Sequence, residues 1–308
     1  MRFSIVVIHR NGFDILHKCI SSIINAASND DEIILIDNNS SDDSISRLKS
    51  SHLFHKIKLI ENKCNSGYGQ SCNQGMKLGT GKYFLLCNSD IKIDISNLNK
   101  FEEFMKHDNV GLIGPQMHSP DGYKMNSYGT IPLDVLSQLD VIGRPRRNKL
   151  IENFGDVEIL RGACLAVKKA MLKDTGAYDE DFYFYHEETE WCLRIKKSNK
   201  WRVTFAPEIN ITHVGGASTE NLFKESRIEF FRSRMLFWKK CFPFHKRLLI
   251  YLINFPKLPL DLVFYLSMYL LTLGTVKSYR RKTIDRAVVI LWLLLGKPKK
   301  WGLPGKCH

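Results

Sequence analysis

None of the eight cysteines, scattered at positions 19, 64, 72, 87, 164, 192, 241 and 307, forms a C-x-x-C pair. That spacing excludes a zinc ribbon and a dense disulfide scaffold, and it suits a reducing cytosol. No G-x-G-x-x-G follows the first apolar run, and no G-x-x-x-x-G-K-[ST] occurs anywhere. A dinucleotide fold and a P-loop enzyme are both disfavoured. The chain also lacks an internal repeat and a low-complexity tract, and the opening MRFSIVVIHRNG has too short an apolar run for a signal peptide. What is there is ordinary for a folded protein: 308 residues, 44% hydrophobic and 25% charged, enough for one large domain or two smaller ones.

The charge is unevenly placed. Of 45 Lys+Arg and 32 Asp+Glu, 18 and 4 fall in residues 221–308, so this segment carries +14 and residues 1–220 carry −1. A uniformly basic fold would point to nucleic acid; a neutral body with a basic, greasy tail points to an anionic membrane surface. The tail opens with an aromatic helix from Phe223 to Trp238, interleaved with Arg and Lys, and continues through apolar stretches at Leu248–Leu273 and Ala287–Leu295. The first is long enough to span a bilayer but contains Pro256, Lys257, Pro259 and Asp261. A charge at the membrane centre costs about 2.5–3.5 kcal/mol, which argues against a straight spanning helix. The second is too short to cross. With Lys246, Arg247, Arg280, Arg281, Lys282, Lys297, Lys299 and Lys300 around them, both read as helices lying in the interface. A partner-binding or core-packing tail is the alternative.

Upstream, two hydrophobic periods alternate. Phe3–Ile8 is a continuous β-branched run, and Phe13, Leu16, Ile20, Ile23 and Ile24 then recur at helical spacing. Strands are expected at Glu32–Ile36, Lys56–Ile60, Tyr83–Cys87 and Val110–Pro115, with helices at 40–49, at 68–78 and, capped by Ser96, at 98–105. Apolar strands alternating with helices imply an α/β fold with a mostly parallel sheet covered on both faces. From about Gln116 to Glu158 the pattern dissolves into loops. It returns at Val157–Val167, in a helix from Glu187, and in two short strands, Trp201–Ala206 and Ile209–His213. The organisation expected is an α/β domain over 1–220 followed by a helical, basic region over 221–308.

In such folds ligands bind beyond the carboxyl ends of the strands. The residues there are His9-Arg10-Asn11, Asp37-Asn38-Asn39-Ser40 and Asn88-Ser89-Asp90. Asp37 is suited either to a base or sugar hydroxyl or to capping the following helix. Asp90 is suited either to a hard cation on a diphosphate or to a turn. Asn65-x-Gly67-Tyr68 either brings backbone close to a ligand or is a plain loop. Glu187, Glu188 and Glu190 either complement a helix dipole, Glu190 pairing with Arg194, or supply a general base. His213 is either a metal ligand or a surface imidazole.

Taken in order, the motifs SIVVIHRNG, IILIDNNSSDDS, ENKCNSGYGQSCNQG, YFLLCNSD, ILRGACLAVKK, FYFYHEETEWCLRIKKSNKWRV and ITHVGGAS resemble those of the family 2 glycosyltransferases. These are inverting enzymes of the GT-A fold, a Rossmann-like, mostly parallel sheet flanked by helices, and the likeness is to their bacterial rhamnosyltransferase-type members. The resemblance implies a nucleotide pocket at Asp37, His9, Asn11 and Asn39, closed over by Asn65, Gly67 and Asn73. It implies that Asp90, last acid of a D-x-D motif reduced here to N-S-D, holds Mg²⁺ or Mn²⁺ on the diphosphate together with His213. It places Arg161 and Gly162 near donor sugar and acceptor, and makes Glu188 the catalytic base, with Glu187 as the alternative. Two departures stand out: H-R-N replaces the usual N-Y-N after the first strand, and the base is Glu where the family usually has Asp. The implied reaction moves a sugar, rhamnose from dTDP-rhamnose in the first instance, to a saccharide or lipid-linked saccharide for cell-surface polysaccharide such as O-antigen. UDP-galactofuranose, UDP-galactose and UDP-N-acetylglucosamine are the alternative donors. A non-catalytic, membrane-tethered nucleotide-sugar binding module is the reading from another class. The expected location is cytoplasmic, peripheral on the inner membrane face, and no nucleic acid partner is expected.

Overall fold

Phe3–His9 (β1) is buried from end to end, so it must be an inner strand with apolar neighbours on both faces. The computed structural model, which describes residues 1–131, 151–215 and 222–307, places it so. Glu32–Asp37 (β2) and Tyr83–Asn88 (β4) pair with it in parallel, and Ile57–Glu61 (β3) lies outside β2. The helices between them are Phe13–Ala26 (α1), Ser44–Lys49 (α2) and Tyr68–Leu78 (α3). Ile91–Lys92 (β5), Ile95–Met105 (α4) and Val110–His118 (β6) follow. Then come Tyr128–Gly129 (β7), Gly155–Asp156 (β8), Ile159–Leu160 (β9), Cys164–Lys168 (β10), Leu172–Thr175 (α5), Glu187–Lys197 (α6) and Arg202–His213 (β11).

The main sheet runs β3-β2-β1-β4-β10-β6-β11-β5, with β8 on β11. Side-chain alternation in β1 sends Ile5 and Val7 to one face and Val6 and Ile8 to the other. One face is covered by Leu16, Ile20 and Ile23 of α1 with Leu98 and Phe101 of α4, the other by Cys72 and Met76 of α3 with Trp191 and Ile195 of α6. Each such side chain removed from water contributes about 1.5–3 kcal/mol, so the two faces supply most of the folding drive.

Several expectations are corrected. The regular structure expected over 157–167 is two short strands, β9 and β10, and β10 enters antiparallel between β4 and β6, so the mostly parallel sheet is mixed. The two strands expected at 201–213 are one, whose pairing with β6 breaks register between Ala206 and Asn210, around Pro207. Pro207 has no N–H to give the ladder, and a bulge absorbs it. Asp94, not Ser96, caps α4, its Oδ1 accepting from Asn97 N at 2.9 Å. The helix after β2 starts at Ser44, because Asp37 to Asp42 are spent on the turn. The cysteines are not all free: Cys64 and Cys307 form a disulfide with Cα atoms 5.1 Å apart.

The C-terminal region is three helices, Phe223–Cys241 (α7), Phe244–Leu271 (α8) and Lys277–Leu294 (α9). The expected boundary at 220/221 falls outside the described residues. Phe237 and Trp238 of α7 are fully buried with Phe182 and Leu193 of the α/β body. α8 stays helical through Pro256 and Pro259 and is long and apolar enough to cross a membrane by length and composition. Its central Asp261 is buried against Lys257 (2.6 Å) and Arg286 (3.1 Å), so this charge faces protein.

Candidate active site

Register brings the tips of the central strands together: His9 stands opposite Asp37, and Ile8 opposite Asn88. Beyond them lies a cleft of about 190 Å³, lined by His9, Arg10, Asn11, Asn38, Asn65, Gly67, Tyr68, Asn88, Ser89, Asp90, Tyr183, His213 and Leu303 among others. Six residues expected in the site therefore do meet there: His9, Asn11, Asn65, Gly67, Asp90 and His213.

His9 is buried, its ring nitrogens 3.0 Å from Ser89 Oγ and 3.1 Å from Ser44 Oγ. Burial lowers its pKa to about 4, so the ring is neutral at physiological pH and ties β1, β4 and α2 together. Asn11, at φ 60°, accepts from Ser41 N (2.8 Å) and so laces the β1–α1 loop to the loop after β2. The buried Asn38 amide is a hub: Nδ2 donates to Asn65 Oδ1 at 2.7 Å, and Oδ1 accepts from Ser66 N at 2.9 Å. Asn65 Oδ1 also accepts from Gly67 N at 3.0 Å. Gly67 sits at φ 87°, where a Cβ would lie 2.1 Å from the Tyr183 carbonyl oxygen. Only glycine fits that turn.

Asp90 and His213 approach one another at the cleft, Oδ1 to Nε2 at 3.3 Å. Gly215 N donates to Asp90 Oδ2 at 3.1 Å, which fixes the carboxylate. Asp90 Oδ1 and His213 Nδ1 are both buried without a hydrogen-bond partner. A carboxylate oxygen and an imidazole nitrogen left over at the mouth of a polar cleft fit a divalent cation. Among the described residues no group of three or more His, Cys, Asp or Glu could hold a metal. Two protein ligands would then need the oxygens of a bound diphosphate and water to complete the shell.

Other expected residues lie around the cleft. Asp37 is buried just below it and turned away: its carboxylate accepts from Ser40 Oγ (2.5 Å) and Ser40 N (3.2 Å), and burial raises its pKa. Asn39 occupies the same turn at φ 63°. Asn73 clamps a different loop, its Nδ2 donating to Tyr178 O (2.9 Å) and its Oδ1 accepting from Tyr178 N (3.0 Å). Glu188 stands at the start of α6 behind Gly162, where an added Cβ would be 3.9 Å from its Oε1 and 3.6 Å from the Tyr68 ring. Tyr68 OH donates to Gly162 O at 2.5 Å and joins this corner to the cleft wall. Burial raises the Glu188 pKa, and the nearby Arg161 opposes the shift. Glu187 is more deeply buried, and burial followed by repulsion from Glu188 pushes its pKa well up. Each has one carboxylate oxygen without a partner. Glu190 takes Arg194 at 2.7 Å, as its i,i+4 spacing predicts, so Arg194 leaves Glu188 alone.

Sequence reasoning named Arg10, Asn38 and Tyr68 within its strand-end and glycine motifs without giving them a role, and it missed Tyr183 and Leu303 as lining residues. Asn38 was visible as the neighbour of Asp37, but which of two adjacent polar residues points inward depends on the turn. Leu303 carried no local signal.

Residues 4–174, more than half of the chain, match the family described as Glycosyl transferase family 2, and the chain belongs to it. Its fold is GT-A. Among relatives, the chain is 22% identical over 162 residues to the low-salt glycan biosynthesis hexosyltransferase Agl10 of Haloferax volcanii, covering 51% of this chain and 52% of that protein. It is 21% identical over 189 residues to the N-acetylglucosaminyl-diphospho-decaprenol L-rhamnosyltransferase of Mycobacterium tuberculosis, covering 54% and 61%. The chain thus spans between half and two thirds of the length of these relatives. Among solved structures, it superposes on the mannosyltransferase PcManGT from Pyrobaculum calidifontis, in complex with GDP-Man and Mn²⁺, with a TM-score of 0.59 at 17% identity, over 96% of this chain and 88% of that one. With GalNAc-T7 bound to UDP, GalNAc and Mn²⁺ the TM-score is 0.57 at 16% identity, over 78% and 48%.

Proposed function

We propose that the protein is an inverting hexosyltransferase that moves a sugar from a nucleoside-diphosphate donor to a hydroxyl of a saccharide or lipid-linked saccharide. The observation that carries this reading is the pairing of Asp90 and His213, each with an unpartnered polar atom, in the same cleft as His9, Asn11, Asn65 and Gly67. The cleft's Asn38–Asn65–Gly67 network would hold the nucleotide, with Asp37, Asn39 and Asn73 supporting its turns and loops. Asp90 and His213 would hold Mg²⁺ or Mn²⁺, which when bound supplies charge neutralisation for the departing diphosphate. Glu188 would take the proton from the acceptor hydroxyl as that oxygen attacks the anomeric carbon from the side opposite the phosphate. Its raised pKa makes it a stronger base than an exposed carboxylate, at the cost of a smaller ionised fraction in acid. Glu187, more deeply buried beside it and with its pKa pushed well up by burial, is the less suited base. Arg161 and Gly162 would border sugar and acceptor. The rhamnosyltransferase relative supports dTDP-rhamnose as the first donor to test.

The exposed apolar face of α8 and α9, including Leu252, Leu260, Val263, Leu270 and Leu294, supports a peripheral seat on the inner, anionic membrane face, in the cytoplasm. Lipid-linked acceptors would be met there. The test is a thermal-shift and transfer screen of thymidine, uridine and guanosine diphosphate sugars with Mn²⁺. Glu188→Gln is expected to keep donor binding and to lose about 10²–10⁴-fold in transfer. Near-normal turnover would remove Glu188 from the base role, and donor binding without any transfer by the wild-type chain would favour a binding module.

A further inference from the structure

The last residues of the chain return to the cleft. Gly302 and Gly305 turn the backbone at φ 119° and 79°, and between them Leu303 is buried and lines the cleft. Asn65 N donates to Gly305 O at 2.7 Å and Cys307 N to Asn65 O at 3.2 Å, a short parallel bridge that uses both backbone groups of Asn65. Arg10 Nη1 donates to Pro304 O at 3.1 Å. Lys306 pairs with the buried Glu229 and lies 4.3 Å over the Tyr183 ring. The disulfide joins Cys307 to Cys64, next to Asn65 and 243 positions away. These contacts converge on Arg10, Asn65 and Tyr183, all of which line the cleft.

The same Asn65 whose backbone holds this segment uses its side chain to order Asn38 and Gly67. Arg10 Nε, buried and without a partner, belongs to the guanidinium that Pro304 holds against the cleft. We propose that residues 302–307 form a covalently pinned wall of the donor cleft, and that opening the Cys64–Cys307 bond weakens binding of a nucleoside diphosphate. The proposal rests on the nucleotide-sugar reading of the cleft. In the reducing step a dithiol gives two electrons and two protons to the S–S bond; Cys64 and Cys307 become thiols and the dithiol closes to its cyclic disulfide. Glutathione disulfide, as oxidant, reverses it. With the bond intact the segment cannot leave, so its docking costs little entropy; once open, it is held only by non-covalent contacts, the bridge, Arg10 on Pro304, Leu303 and Lys306. The other six cysteines are free thiols with nothing to reduce, so Cys64–Cys307 is the bond on which the dithiol acts.

The experiment is calorimetric titration of the oxidised full chain with UDP, dTDP and GDP, each with Mn²⁺, carrying forward the tightest. Reduction by dithiothreitol, or Cys307→Ser, is expected to weaken that affinity about tenfold, equivalent to roughly 1.4 kcal/mol. Deletion of residues 302–308 should weaken it at least as much. Gly305→Ala, which keeps both cysteines but is strained at φ 79° with its Cβ 2.8 Å from Arg10 Nη2, should weaken it too. Reductant should have no effect on Cys307→Ser, and amide exchange at Asn65 should quicken on reduction. Circular dichroism and melting identify any variant that has not folded, and the reduced wild-type chain then serves in its place. Unchanged affinity on reduction and in folded Cys307→Ser overturns the pinned wall and leaves the donor reading standing. Failure of all three diphosphates to bind the oxidised chain defeats the donor reading, and the wall with it.

Discussion

At Gly67 the backbone passes so close to Tyr183 that any side chain collides with a carbonyl oxygen. Gly67→Ala is expected to cost roughly 1–3 kcal/mol in backbone strain alone, read as a lowered melting temperature, and to weaken nucleotide binding by disturbing Asn65. The two acids at the start of α6 make a second prediction, with a definite sign. The folded-state pKa of Glu187 lies well above its ordinary 4.5, so the stability its neutral form contributes is present below that value and lost as pH rises through the raised one. Glu187→Gln should therefore melt higher than wild type at pH 8, with the advantage shrinking toward pH 5. A constant difference across that range would mean that Glu187 is already ionised. Because the Glu188 pKa is also raised, the acid limb of kcat/KM should lie above the usual carboxylate range. At this scale the sequence was a partial guide. His9, Asp90 and His213 were legible from their places at strand ends, but the turn of Asn38 toward the cleft depends on its bonds to Asn65 and Ser66, and the retention of Asp37 by Ser40 on its own turn, neither of which any periodicity encodes.

Among the elements, β1, β2 and β4 were readable because their apolar runs are buried and almost uninterrupted, and α3 because it falls between two such strands. β10 was not: an antiparallel strand buried on both faces has the same apolar run as a parallel one, and direction is set by the distant partners β4 and β6. The proline-containing stretch of α8 was only partly legible, for a different reason. Its charge looked unpaired in sequence, whereas Asp261 meets Arg286 from α9. Asp285 of α9 likewise receives Arg227 of α7, with Nη2 to Oδ2 at 3.0 Å, and its own neighbour Arg286. These carboxylates are the polar pins between three otherwise greasy helices. Asp285→Asn removes the countercharge of the partly buried Arg227 and one of the carboxylates that Arg286 shares with Asp261, and should destabilise the helical region by about 3 kcal/mol, checked by urea unfolding. Leu residues on the outer face of α8 should be silent in the same assay.

For the molecule as a whole, the split between a −1 body and a +14 tail was plain in the sequence, and the structure adds that the basic segment carries an exposed apolar face. If this face meets lipid, Leu260→Ser combined with Val263→Ser and Leu270→Ser should reduce co-sedimentation with anionic vesicles several-fold while leaving the melting temperature near wild type. Retained sedimentation in high salt would point to the apolar face, and its loss to the charges. The return of residues 302–307 to the cleft is a global feature that no local pattern announced, since it joins positions 64 and 307.

Because β10 runs opposite to β4 and β6, β6 ends at His118 and β10 begins at Cys164 on one and the same rim, the rim that holds the cleft, and between them the chain touches the sheet through β8 on β11. A change in the turns of that excursion, outside β7, β8 and β9, alters the rim on the side of Gly162 while the strands keep their pairing. That side of the rim can thus be reshaped by a single connection without re-engineering the strand ends that carry His9 and Asp90.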